Sequence, residues 1–315
     1  MGLHRQTVRS TRVAAAILLS AATIGTIATT QASPAAFRAG DVGFSLSTPG
    51  GNSWVYGDSW VNGFFVRNAV TLNGVFTGTI GGVERGHWVW PGAPFLLANG
   101  RVGMYGAEVE QVKPGMWGFK VLGGVRVDYD PRAPRRASVT PMPRPGMIWA
   151  AAAARDGEGT LVYAVDSRHH PHVGRPQADG SVREVGTLGG MISGQFTVLR
   201  DPLDHWWIIG QAPHLSRRVI GYPLSAPDGK VIGRPIRLTT LPSPGPARFT
   251  YAATIHPELG GMLTWAVNGH GPGTPYGLQR QAAFWPLALQ SALGYASWTD
   301  PLGTGTGAVT TIPPA

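Results

Sequence analysis

The feature that most constrains this chain is its punctuation. Short apolar runs are separated again and again by turn pairs: Asn73-Gly74, Asn99-Gly100, Asp179-Gly180 and Asp228-Gly229. Each pair tolerates the positive φ that a tight hairpin demands. The runs lie at 53–56, 64–72, 75–80, 87–90, 101–105, 117–122, 147–154, 160–165, 194–199, 205–209, 218–222, 231–238, 249–254, 261–267 and 281–286. They are too short for helices and suit strands. The segment 150–154 is alanine-rich, but it follows Pro145-Gly146 and leads into another strand, so it reads as a buried strand. Only 287–293 near the end suggests a turn or two of helix.

Roughly sixteen short strands with no strand–helix alternation leave an all-β chain, either a large sandwich or a propeller. Glycine (45) and proline (27) are abundant and only 14% of residues are charged, yet 11 tryptophans and 43% hydrophobic residues exclude a disordered chain. No short repeat of the WD type is visible. Five four-stranded blades of about 55 residues would fit the length, but spacing alone does not choose between the two architectures.

Residues 1–32 have the pattern of an export signal. Arg5, Arg9 and Arg12 precede a mostly apolar run at 13–27, and Thr30-Gln31-Ala32 supplies small residues for cleavage. The run is too short and too interrupted by Ser20, Thr23 and Thr26 to span a bilayer, which needs ~20 apolar residues. The expectation is a secreted, extracellular protein whose single domain is 33–315, with no stable membrane insertion once the leader is cleaved. The chain has no cysteine, which excludes a lipoprotein anchor, a thiol nucleophile and thiolate metal sites. The net charge is +9, or +6 without the leader, and the basic residues are scattered arginines with one cluster, Arg132, Arg135 and Arg136. There is no basic stripe interleaved with aromatics, so no nucleic-acid partner is expected.

The acidic residues are few enough to weigh singly. Asp41 stands in Gly40-Asp41-Val42-Gly43 and Asp58 in Gly57-Asp58-Ser59, each at a strand end. Either caps its own turn or faces a cleft. Glu258 and His256 sit in a strand-ending His256-Pro257-Glu258 turn, as a substrate-binding or proton-transferring pair or as a hydrogen-bonded turn. Glu108 and Glu110 alternate after the run ending at Tyr105 and so share a face, which reads as a solvated edge in preference to an acid/base pair. His169, His170 and His172 share a proline-containing loop, where adjacent histidines rarely converge on a metal. Asp128-Tyr129-Asp130 is too sparse for a calcium loop. There is no Gly-x-Ser-x-Gly elbow, Walker loop or His-Glu-x-x-His.

Several segments, taken in order, resemble one family. They are Asp41-Val42-Gly43, 54–60, Arg67-Asn68-Ala69, Trp90-Pro91-Gly92, 117–123, 148–151, the stretch from Phe249 to Glu258, and 263–268. Together they resemble the secreted bacterial family known as domain of unknown function 4185, some of whose members are endo-D-arabinanases that cut cell-wall arabinan. The resemblance covers nearly all of 33–315 and implies a five-bladed β-propeller. It implies catalytic carboxylates at Asp41 and Asp58 with Glu258 near the same funnel, and substrate-binding roles for His256, Asn68, Trp60, Trp90 and Tyr251. The expected activity is glycoside hydrolysis of a furanose-rich, arabinan-type polysaccharide by paired-carboxylate chemistry, which requires no metal or organic cofactor. The expected partner is a carbohydrate polymer or cell-wall glycan. Where the family carries polar residues, this chain has Ala252 and Ala93. That departure favours the alternative of a non-catalytic glycan-binding propeller. A third reading is small-molecule lyase or cyclase chemistry on the same fold.

Overall fold

A computed structural model describes residues 37–114, 118–143, 146–201 and 203–269, together with the strand backbones 277–281 and 309–311. The chain divides between Ser33 and Pro34, and all described residues belong to the second unit. The leader at 1–32, Trp117, most of the run at 281–286 and the expected turn at 287–293 lie outside the described residues.

The described chain is all-β apart from two short 3-10 turns. It enters through β1 (Phe37–Gly40), then β2 (Phe44–Thr48) and β3 (Gly51–Tyr56). A hairpin follows, β4 (Ser59–Val61) and β5 (Phe64–Val66), before β6 (Ala69–Leu72) and β7 (Val75–Gly78). Strands β2, β3, β6 and β7 form one antiparallel sheet, while β4 pairs with both β1 and β5 in a small sheet of three strands. The Asn73-Gly74 turn joins β6 to β7 with φ of 51° and 79°, as its sequence demands.

Four further sheets repeat the four-strand meander. One is built from β8 (Trp88–Leu96), β9 (Val102–Gln111), β10 (Phe119–Tyr129) and β11 (Ser138–Pro141). The next comprises β12 (Ala152–Asp156), β13 (Gly159–Val165), β14 (Pro171–Pro176) and β15 (Val182–Thr187). Then come β16 (Phe196–Arg200), β17 (Trp206–Gln211), β18 (Arg218–Leu224) and β19 (Ile236–Thr240). The last holds β20 (Arg248–His256), β21 (Met262–Gly269), β22 (Gly277–Gln281) and β23 (Val309–Thr311).

The first strand of each sheet faces the first strand of the next. Strand β2 packs on β8, β8 on β12, β12 on β16, β16 on β20, and β20 returns to β2. Five sheets thus close a ring through their leading strands. Four of the seams are filled with apolar side chains. Phe44, Val55 and Val70 meet Met104 and Val125. Phe95 and Tyr105 meet Val162 and Ala164. Leu161 and Tyr163 meet Phe196 and Ile208, and Trp207 and Ile209 meet Ile255 and Trp265. Burying these side chains contributes ~25 cal/mol for each Å² of apolar surface removed from water.

The fifth seam, between β20 and β2, is bridged by polar groups. Tyr251 reaches Asp41, Thr254 Oγ1 donates to the Gly43 carbonyl (3.4 Å), and His256 Nδ1 meets Ser45 Oγ (2.5 Å). The ring is therefore closed here by three side-chain hydrogen bonds that run from β20 to β2 and the turn before it.

Three expectations change. The run at 64–72 is two strands, because Asn68 turns inward at the break between them. Its Nδ2 donates to the carbonyls of Ile80 (2.8 Å) and Val89 (2.9 Å), and its Oδ1 accepts from the Ile80 N–H (2.7 Å). The strand expected to end at Tyr105 continues to Gln111, carrying Glu108 inside. Glu108 is only 9% exposed and accepts from the Val83 N–H (2.9 Å) and His87 Nδ1 (3.0 Å), so it is a structural anchor and not a solvated edge. The segment 147–151 is irregular, and the strand begins at Ala152.

Candidate active site

Asp41 occupies the turn between β1 and β2, and Asp58 the turn between β3 and β4. The two turns are locked together: the Asp41 N–H donates to the Asp58 carbonyl (3.1 Å), and the Gly57 N–H donates to the Asp41 carbonyl (2.9 Å). Gly57 leaves room for the Asp41 carboxyl, since a Cβ on it would lie 2.2 Å from Oδ1 and displace it. Val42, directly after Asp41, has a φ of 48°. A β-branched residue in the left-handed region is strained, and such strain concentrates at functional sites.

A matching distortion lies opposite. Ala252 has a φ of 53°, and β20 bulges between Tyr251 and Thr254. A bulge re-aims the neighbouring side chain. Here the Tyr251 hydroxyl donates to Asp41 Oδ2 at 2.6 Å. Tyr251 in turn is hydrogen-bonded by Asn268 of β21.

The two carboxylates line a cavity of about 280 Å³, with Trp90, Phe119, Phe249, Tyr251 and Asn268 among its walls. Burial, reinforced by the neighbouring Asp58 charge, pushes the Asp41 carboxyl up to about 7. Burial also raises Asp58, to about 6, but the Arg67 guanidinium and a hydrogen bond from the Trp90 side chain pull it back. Arg67 Nη1 stands 3.7 Å from Asp58 Oδ2. The pair therefore passes through a state with one proton, and Arg67 biases the charge toward Asp58 and the proton toward Asp41.

His256 and Glu258 occupy a different place. They line a second cavity of about 170 Å³ with Ser45, Leu46, Pro94, Ala153 and Thr197. Every leading strand that reaches both cavities contributes lower-numbered residues to the first and higher-numbered residues to the second. Strand β8 gives Trp90 and Pro91 to one, Ala93 and Pro94 to the other; β20 gives Phe249 and Tyr251 to one, Thr254 to His256 to the other. The leading strands thus run in one direction, and the cavities lie at their opposite ends. The expected grouping of Glu258 with Asp41 and Asp58 is not what the strand direction produces.

In that second cavity His256 is 3% exposed, and burial lowers it to about 3, so the ring is neutral. Its Nε2 pairs with Thr264 Oγ1 at 2.8 Å, and Ser45 Oγ donates to Glu258 Oε1. Burial raises Glu258, and the Ser45 hydroxyl lowers it again.

The remaining expected contacts divide. Trp90 and Tyr251 line the first cavity. Asn68 does not; its amide is spent on the Ile80 and Val89 backbone. Trp60 stands on the β4–β5 hairpin outside the cavity wall, edge-on to Phe65 at 5.7 Å. The two alanines that replace expected polar residues are not in the first cavity either: Ala252 is 2% exposed within the bulge, and Ala93 lines the second cavity. Residues that sequence reasoning did not single out as site residues include Arg67, Phe119 and Asn268. Arg67 was legible as the residue that faces Asp58 once the hairpin register is known.

In the histidine loop, His170 Nδ1 pairs with Asp166 (3.3 Å) and His172 Nδ1 with Glu184 (2.7 Å), while His169 meets the His214 ring edge-on at 4.9 Å. Among the described residues no group of three or more His, Asp or Glu is placed to hold a metal ion.

No family model matches this chain, and no curated protein matches it. Solved structures do. A Bacteroides ovatus protein provisionally named a hydrolase superposes with a TM-score of 0.55 at 16% identity, over 75% of this chain and 80% of that one. A variant of the GH43 protein BlXynB from Bacillus licheniformis gives 0.50 at 11% identity, over 90% of this chain and 56% of that one. The fold is shared with a GH43 protein. A Dyadobacter fermentans protein of unknown function also gives 0.50, at 9% identity over 78% of this chain and 79% of that one. At these identities the likeness is one of fold, and the chain spans little more than half of BlXynB.

Proposed function

We propose that this chain is an exported five-bladed β-propeller, processed after 1–32, that hydrolyses a furanose-rich, arabinan-type polysaccharide of the kind cut by the arabinanase members of domain of unknown function 4185. The observation that carries the reading is the carboxylate pair. Asp41 and Asp58 share one cavity, backbone-locked to each other, with pKa values pushed up to about 7 and about 6. Glycoside hydrolysis needs one carboxyl that keeps its proton to release the leaving oxygen and one that is ionised to act as base or nucleophile. Asp41 takes the first role and Asp58, held charged by Arg67, the second. The closed ring of five meandering sheets and the fold shared with a GH43 protein support the architecture.

The glycan-binding alternative drew on the alanines at 93 and 252, and neither lines the carboxylate cavity. The test is incubation of the protein with arabinan and a panel of wall polysaccharides, followed by chromatography of the products. Oligosaccharides released by the wild type and absent with Asp58→Asn are expected. Retention of full activity by Asp58→Asn would remove the carboxylate pair from the mechanism.

A further inference from the structure

The β4–β5 hairpin leaves the sheet immediately after Asp58 and returns immediately before Arg67. Its register pairs Ser59 with Val66, Trp60 with Phe65, and Val61 with Phe64. One step further, Asp58 stands opposite Arg67, which their 3.7 Å approach bears out. Side chains alternate along a strand, and directly opposed residues share a face. Asp58 and Trp60 on one arm therefore share a face with Arg67 and Phe65 on the other.

The two faces differ along the arm that leads away from Asp58. On one, Ser59 is fully buried and Val61 is 6% exposed, so that face lies on the protein along the β4 arm, and only Phe64 at the tip projects past it at 74% exposed. On the other, Phe65 is 41% exposed and Trp60 stands edge-on to it. The Arg67 guanidinium bridges the rows, 5.0 Å above the Phe65 ring and 3.7 Å from Asp58. The turn at the tip, Asn62-Gly63, has φ of 53° and 81°, the tight geometry that holds two arms in register.

We propose that this outward face of the hairpin, with Trp60 and Phe65 as its floor and Arg67 at its inner edge, is a subsite for a further sugar ring of the polysaccharide chain that enters the Asp41–Asp58 cavity. The inference rests on the hydrolase reading of that cavity and adds to it a direction and a substrate length. The carboxylate row and the aromatic row are two residues apart, about 7 Å along the hairpin. A glycan has the matching chemistry: an apolar C–H face for an aromatic ring, and hydroxyls around it for the guanidinium N–H groups that Asp58 and Gln111, to which Arg67 Nη2 donates, leave over. The occupant is identified by continuity, since the strip ends on the candidate catalytic carboxylate through one shared arginine.

The experiment compares wild type, Trp60→Ala and Phe65→Ala on oligosaccharides of increasing length from the glycan the wild type cleaves. Phe64→Ala serves as control, because Phe64 is 74% exposed at the same tip but belongs to the opposite face. Circular dichroism and melting confirm folding of each variant. The expected result is a loss of about tenfold in kcat/KM on long chains, carried by KM, that disappears on the shortest substrate, with Phe64→Ala unchanged. An equal effect at all lengths, or none, overturns the subsite. If the wild type releases no product from any glycan, the hydrolase reading falls separately, and affinity electrophoresis in arabinan decides the subsite. Retardation of the wild type but not of Phe65→Ala supports it. Equal retardation of wild type and Phe65→Ala, loss of retardation in Phe64→Ala instead, or no retardation of the wild type overturns it.

Discussion

The Tyr251 hydroxyl donates a 2.6 Å hydrogen bond to Asp41 Oδ2 across 210 residues of sequence. One bond thus does two jobs: it helps close the ring between β20 and β2, and it tunes a candidate catalytic carboxyl. Tyr251→Phe removes a donor that lowers the Asp41 pKa. The alkaline limb of the rate profile, set by loss of the Asp41 proton, should move to higher pH, and stability should fall by about 1 kcal/mol. A pH–rate profile with denaturant unfolding checks both; an unmoved alkaline limb would show that Asp41 does not hold the proton that matters.

Arg67 acts on the other limb. It lowers the Asp58 pKa by its charge. In Arg67→Met, Asp58 should bind its proton at higher pH, so the acid limb rises toward the alkaline one and the bell narrows. A bell that keeps its width would separate Arg67 from the titration of the pair.

Gly57→Ala tests the close packing of the two turns. The added Cβ would meet Asp41 Oδ1 at 2.2 Å, and the carboxyl must move. A displacement of about 1 Å in a catalytic group costs on the order of 10²-fold in rate. We expect that loss with a melting temperature close to wild type, measured side by side.

Glu258→Gln should leave hydrolysis within about threefold of wild type, whereas Asp41→Asn and Asp58→Asn should each lose roughly 10²–10⁴-fold. The contrast follows from the strand direction, which sends Glu258 to the second cavity. Steady-state kinetics of the three variants decides it, and a loss in Glu258→Gln as deep as the other two would require a different site.

Stability should respond to pH with opposite signs at the two cavities. Asp41 is raised from 3.8 to about 7, so its stabilisation is complete below about pH 4 and disappears as pH rises through 7. His256 is lowered from 6.5 to about 3, so its contribution is complete above pH 6.5 and disappears as pH falls through 3. Relative to wild type, Asp41→Asn should therefore gain stability between pH 5 and pH 8. Replacing His256 by Asn should flatten the acid side, where each pH unit costs ~1.4 kcal/mol for one fully shifted group. Melting temperatures across the range measure both slopes.

Much of the secondary structure was legible because turn chemistry is local. Asn73-Gly74 must turn wherever it stands, and apolar runs such as 160–165 and 206–209 must leave water. The strands that escaped notice, such as β1, β4 and β15, are short or rich in polar residues, and the pairing that makes them strands brings no signal of its own. Asn68 and Glu108 were misjudged for the same reason: whether a polar side chain is solvated or buried depends on backbone groups at Ile80, Val83 and Val89 that bring no local signal.

The chain by itself determined the strand-and-turn grammar, the absence of thiol chemistry and the short roster of carboxylates from which any site must be drawn. Local backbone preference and burial settle these matters within a few residues. Only the tertiary structure decided which carboxylates meet. Closure of the ring sets β20 beside β2, the common direction of the leading strands separates Glu258 from Asp41, and the cavity's low polarizability shifts the proton affinities that make the pair reactive. Those effects depend on distances between residues more than two hundred positions apart, and sequence order carries no distances.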